Sequence, residues 1–192
     1  MSTNAGLRYL SAHFQATNSH IPATRWVANT PGSSVTYGSF TSSDQSSLDR
    51  CAFQISLLEA SAIDPQQVFV LQVSYTVLHL GCRHPLRDTL MCSDTGVFVG
   101  VEPSELRLRT EKLDVFSVSN TALSITSGRL SYTLGLVGPC YSIDTACASS
   151  LAALHVSSAA VCSGECACGI QVGTKILSEA VSIATSIAGM TS

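Results

Sequence analysis

Between Ala146 and Gly164 the chain carries no charged side chain, and it enters that stretch through the run Ser142, Ile143, Asp144, Thr145, Ala146, Cys147, Ala148, Ser149, Ser150, Leu151. A β-branched lead-in passes through a tight Ala-Cys junction into a long small-residue helix pattern. A helix with no charged face is a buried one, and Ala148, Ala152, Ala153, Ala159 and Ala160 let neighbouring elements approach its backbone closely. The segment therefore demands an architecture with layers on more than one side. It also places Cys147 where a strand hands over to a helix. Unpaired N–H groups and a partial positive charge gather there, a setting that favours ionisation of a thiol, and the thiolate is the nucleophile. The Cys147 N–H is expected to point at any oxyanion formed by attack at that sulfur. Strand-turn-helix nucleophile elbows in other folds use this geometry.

The rest of the chain reads as alternating buried strands and helices, the mark of an α/β fold. Asp64-Pro65-Gln66-Gln67 opens a helix, with Asp64 as cap and Pro65 in the first turn. Its apolar positions Phe69, Val73, Val77 and Leu80 recur near helical spacing, and Gly81 is the expected stop. Gly96–Gly100 and Ala167–Val172 read as short buried strands. Asn120 is the expected cap of a helix through Leu134, stopped by Gly135. Gly164 is expected to end the helix that follows Cys147. Residues 29–47, rich in Ser, Thr and Gly, read as a surface loop, and 102–115 as a charged, exposed excursion. Ile21–Trp26 reads as an extended piece.

Only 12% of the 192 residues are charged, against about 25% in ordinary soluble chains, so burial in a large core or an interface is expected. A net charge of −3 with no basic run argues against nucleic acid as partner. Ser and His interrupt the stretch from Ala146 to Gly164, which does not read as a membrane span. Met1–Leu10 has no apolar signal core, which points to an intracellular setting. The eight cysteines are then expected to be mostly buried free thiols. A rival use of them is a metal site at Cys162, Cys166 and Cys168 near His155, but the spacing is not that of common zinc folds. Asp144 is expected to bond backbone N–H groups and shape the turn before Cys147, with Thr145 and Ser149 in similar structural roles. Arg129 is expected to make an ion pair or cap that fixes its helix, and His155, two turns beyond Cys147, to be a hydrogen-bonded core histidine.

The run Gly138-Pro139-Cys140-Tyr141-Ser142-Ile143-Asp144-Thr145-Ala146-Cys147-Ala148-Ser149-Ser150-Leu151 resembles the active-site segment of β-ketoacyl synthases, those of polyketide synthases above all. Further similar pieces are Ile21–Trp26, Tyr37–Phe40, Phe53–Ser56, Asp64–Gln67, Ser127–Tyr132, Gly164–Cys166 and Ala188–Met190. Two positions depart from the family pattern: Val68 follows Asp64–Gln67 where Arg is usual, and Val172-Gly173 stands for Gly-Gly. The resemblance implies a thiolase-like layered αβαβα fold, present here as its incomplete N-terminal half in one partial domain over residues 1–192, clearest over 21–190. It implies Cys147 as acyl-accepting nucleophile, decarboxylative Claisen condensation in polyketide or fatty-acid synthesis, and an acyl carrier protein bearing acyl and malonyl-type thioesters as partner. It implies a homodimer when complete, and no metal or organic cofactor. The family's two histidine segments do not occur in these 192 residues, so the chain alone is expected to be inactive. Alternatives are a non-catalytic half-synthase that serves as scaffold or needs a partner chain, and a truncated gene product.

Overall fold

The computed structural model describes residues 18–22, 36–39, 49–82, 90–103 and 122–190, with side chains omitted from 80–82. The chain divides into two compact units, one formed by Met1–Asp44 with Leu177–Ser192, the other by Gln45–Ile176.

In the first unit, strands β1 (Asn18–His20) and β2 (Tyr37–Ser39) pair antiparallel, with His20 opposite Tyr37 and their rings 4.9 Å apart. The stretch expected to be loop over 29–47 thus contains a strand, because Tyr37 and its neighbours find a partner that composition does not reveal. The same unit holds the last helix, Glu179–Ile187, capped by the Ser178 hydroxyl, which accepts from the Val181 N–H.

The second unit contains short helices α1 (Arg50–Phe53) and α2 (Leu57–Ala62), the long α3 (Pro65–Cys82), strand β3 (Thr95–Val101), α4 (Leu123–Leu134), β4 (Cys140–Ile143), α5 (Ser149–Cys162) and β5 (Cys168–Thr174). The helix Glu179–Ile187 of the first unit is α6. The three strands form a parallel sheet in the order β4-β3-β5, with Gly100 level with Ile143 on one side and Gly173 on the other.

Strand β3 is buried at all seven positions, as a central parallel strand must be. Its side chains alternate between the two faces of the sheet. Val97, Val99 and Val101 enter the larger core with Val70 and Leu71 of α3 and Leu130 and Leu134 of α4. Phe98 points the other way, into a smaller core with Ala153 and Ala160 of α5 and with Cys166. The chain steps from β3 to one neighbour through α4, then back across β3 to the other neighbour through α5. With a fixed hand of crossover, that reversal puts the two helices on opposite faces. The result is the layered α/β arrangement expected from the sequence.

Local chemistry sets the ends of the elements. The Asp64 carboxylate accepts from the Gln66 N–H at 2.7 Å and opens α3 beside Pro65. The helix runs through Cys82, so Gly81 lies in its last turn instead of stopping it. Gly135 does stop α4: at φ +66° its N–H reaches the Ser131 and Tyr132 carbonyls. The helix starts at Leu123 after Ala122, with no side-chain cap; Asn120 and, of the expected excursion over 102–115, residues 104–115 lie outside the described residues. Gly164, at φ +75°, follows the end of α5.

The buried face of α3 is not the expected one. Val68, Val70, Leu71 and Ser74 are buried, whereas Val73 is 49% and Val77 53% exposed, and Phe69 is intermediate. The helix is apolar around most of its circumference, so spacing alone could not select the face that meets the sheet. Val68, which stands where the family usually has Arg, packs in the larger core.

Arg129 pairs with Glu59, tying α4 to α2, as its ion-pair reading anticipated. Its side chain is 8% exposed and that of Glu59 29%. Arg129→Met should destabilise the fold by roughly 1–2 kcal/mol, short of a fully buried pair because Glu59 keeps part of its water. Urea unfolding at unchanged m-value checks this.

Candidate active site

The turn between β4 and α5 is built residue by residue. After Ile143 the chain passes Asp144 and Thr145, makes a 3₁₀ turn over Ala146–Ala148, and enters α5 at Ser149. Ala146 has φ +52°, a left-handed conformation that side chains other than glycine's resist, at a cost of about 1 kcal/mol. Such strain persists only when its surroundings hold it, and here two side chains do so. The Asp144 carboxylate accepts from the Ala146 N–H at 3.1 Å. The Ser149 hydroxyl accepts from the Thr145 N–H at 2.8 Å and donates to the Ala146 carbonyl at 2.7 Å. Asp144 and Ser149 are thus turn-shaping groups, as expected. Ser149→Ala leaves the Thr145 N–H and the Ala146 carbonyl without that partner; a loss of about 1 kcal/mol in thermal unfolding is the expected outcome.

Cys147 is exposed at this turn. Among the described residues its backbone N–H meets no acceptor.

The turn rests against the ends of two strands that must be bare there. A Cβ on Gly100 would lie 2.6 Å from the Ser149 carbonyl carbon and oxygen, and one on Gly173 would lie 2.5 Å from the Ser150 hydroxyl. Val172, the residue that departs from the family's Gly-Gly, sits one position earlier and packs against the larger core, while β5 keeps regular register with β3. Gln171 adds a pin: its amide nitrogen donates to the Ser150 carbonyl and hydroxyl, both at 3.1 Å.

A cleft of about 240 Å³ opens beside Cys147, lined among others by Gly100, Ala146, Ser150, Glu102 and Lys175. Glu102 directly follows β3 and Lys175 directly follows β5, and the two form an ion pair. Gln66 of α3 secures both strand exits: its amide nitrogen donates to the Glu102 carbonyl and its amide oxygen accepts from the Ile176 N–H, each at 3.1 Å. Composition and spacing do not single out Glu102, Lys175 or Gln171. The signal for Lys175 was a cation just beyond a buried strand in a chain with only 10 Lys and Arg residues.

Other expectations are corrected. His155 is exposed on α5, with no hydrogen bond among the described residues, and is not a core histidine. The helix buries Ser149, Ala153, Ser157 and Ala160 against the sheet, while Leu151 is 71% exposed. Its lack of charge therefore does not mean burial on every face in this chain. Among the described residues Cys51, Cys92, Cys140, Cys147, Cys162 and Cys168 are exposed free thiols and Cys166 is buried, contrary to the expected mostly buried set. Among the described residues no group of three or more His, Cys, Asp or Glu side chains could hold a metal ion, which removes support from the Cys162–Cys166–Cys168 site. Nor is any described helix long and apolar enough to cross a membrane.

The parallel sheet flanked by helices, with a cysteine at a strained strand-to-helix turn, defines a layered α/β protein. The chain belongs to the β-ketoacyl synthase family: the family model described as "Beta-ketoacyl synthase, N-terminal domain" matches residues 10–192. Polyketide synthase GfsE of Streptomyces halstedii is 40% identical over 138 residues, which cover 70% of this chain and 4% of that protein. Erythronolide synthase EryA2 of Saccharopolyspora erythraea is 36% identical over 154 residues, covering 78% of this chain and 4% of that one. Among solved structures, the ketosynthase from module 6 of the bacillaene synthase of Bacillus subtilis 168 matches at TM-score 0.77 and 26% identity, over 97% of this chain and 32% of its own. The oxazolomycin ketosynthase domain OzmH KS7 of Streptomyces albus JA3453 matches at TM-score 0.67 and 26% identity, over 90% and 32%. The fold is accordingly the thiolase-like α/β fold, present as its N-terminal part. The chain spans about a third of these ketosynthase chains and a few per cent of the curated relatives.

Proposed function

We propose that this chain is the nucleophile-bearing part of a 3-oxoacyl-[acyl-carrier-protein] synthase of polyketide or fatty-acid synthesis, with Cys147 as the acyl acceptor. The observation that carries this reading is the exposed Cys147 at a strained turn, its N–H unengaged, beside a cleft in a ketosynthase fold. The Cys147 thiolate attacks the carbonyl carbon of an acyl thioester on a carrier protein, and the carrier's thiolate leaves and takes a proton from water. A malonyl-type thioester on a second carrier loses carbon dioxide; its carbanion attacks the acyl-cysteine, forming the new carbon–carbon bond and releasing the Cys147 thiolate. Covalent capture divides one difficult step into two, and in this reading the Cys147 N–H donates to the oxyanion in each. The reading calls for no metal or organic cofactor.

The histidines that assist decarboxylation in this family must come from outside these 192 residues. On its own the chain is expected to accept an acyl group and not to complete condensation. A second reading is a half-synthase that acts only with a partner chain; the large exposed side chains Val73, Val77, Tyr132, Val137 and Leu151 fit both readings. The remainder of the domain, or a second copy in a homodimer, would cover such surface. The test is acyl transfer from a carrier-bound or small-molecule thioester, followed by mass spectrometry of the peptide containing Cys147. Absence of a thioester adduct there overturns the proposal.

A further inference from the structure

The Cys147 cleft has an ionic wall that the general reaction does not require. Glu102 and Lys175 leave neighbouring parallel strands at the same level, pair with each other and line the cleft. Gln66 fixes the backbone at Glu102 and at Ile176, so both charges stand on held positions. The pair is neither sealed nor free: the Lys175 side chain is 36% exposed and that of Glu102 21%. An ammonium has three donors, and among the described residues Lys175 gives one, to Glu102. Its exposure leaves the other donors open to solvent.

Resting on the acyl-cysteine reading above, we propose that the Glu102–Lys175 pair determines acyl selectivity, favouring oxygenated acyl groups over plain alkyl groups of the same length. An alkyl chain seated in the cleft displaces water from the pair and returns no hydrogen bond, which penalises it. A hydroxyl or keto oxygen on the chain replaces the lost water as acceptor for Lys175, and a hydroxyl also donates to Glu102. Sites built around a polar partner reject the analogue that lacks it far more strongly than apolar pockets reject an extra methylene.

The experiment is competitive loading of the chain with the N-acetylcysteamine thioesters of hexanoic and 3-hydroxyhexanoic acid, read by mass spectrometry of the Cys147 peptide. The hydroxylated group should load about tenfold faster or more. In Glu102→Gln/Lys175→Met, which removes both charges together and leaves neither unpaired, the ratio should fall below about threefold, through faster hexanoyl loading. Lys175→Arg should retain the preference. Circular dichroism establishes that each variant is folded, and Glu102→Gln alone serves if the double variant is not. Equal ratios in the parent chain and the charge-free variant overturn the selectivity role while leaving the acyl-cysteine intact. No loading from either thioester overturns both.

Discussion

Cys147→Ala should abolish acyl loading, with a loss of about 10⁴-fold or more relative to the parent chain, because no other group can form the covalent intermediate at that position. The same substitution should barely change stability. Cys147 is exposed, and truncating an exposed side chain away from caps and cores shifts unfolding by about 0.5 kcal/mol or less. That separation of activity from folding gives the experiment its force. Among the described residues five further thiols are exposed, at Cys51, Cys92, Cys140, Cys162 and Cys168, and will also react with strong alkylating agents. Loading must therefore be mapped to its peptide instead of read from total mass. An adduct that persists in Cys147→Ala, on any of the other five, would remove Cys147 from the proposed role.

The second large effect is structural. Gly100→Val should destabilise the chain by about 3 kcal/mol or more, and Gly100→Ala by about 2 kcal/mol, in urea or thermal unfolding. An added Cβ would stand 2.6 Å from the carbonyl of Ser149 and 2.7 Å from the Ser150 nitrogen. These are backbone atoms, so no rotamer change relieves the contact. Strand β3 cannot yield, since it is bonded on both edges to β4 and β5. Helix α5 must lift instead, and with it goes the packing of Ala153 and Ala160 over Phe98. Gly128→Ala is the internal control. It lies inside α4 with nothing within 4 Å of its added Cβ, and should be neutral or stabilising by about 0.5–1 kcal/mol. A tolerated Gly100→Val would mean that α5 does not rest on the strand as described.

What the sequence by itself determined were the features whose causes are local. Asp64-Pro65 opens α3, Gly135 closes α4, and Gly96–Gly100 is a buried strand, because caps, left-handed stops and short apolar runs act within a few residues. The turn at Cys147 was legible for the same reason: Asp144 and Ser149 bond groups two to four residues away. Only the tertiary structure decided which faces are covered. Helices α3 and α5 are apolar on several sides, so their spacing contains no preferred direction, and the sheet selects Leu71 over Val73, and Ala153 over His155. The ionic wall of the cleft is non-local in the strictest sense. Glu102 and Lys175 are 73 residues apart, and nothing joins them until two parallel strands end side by side.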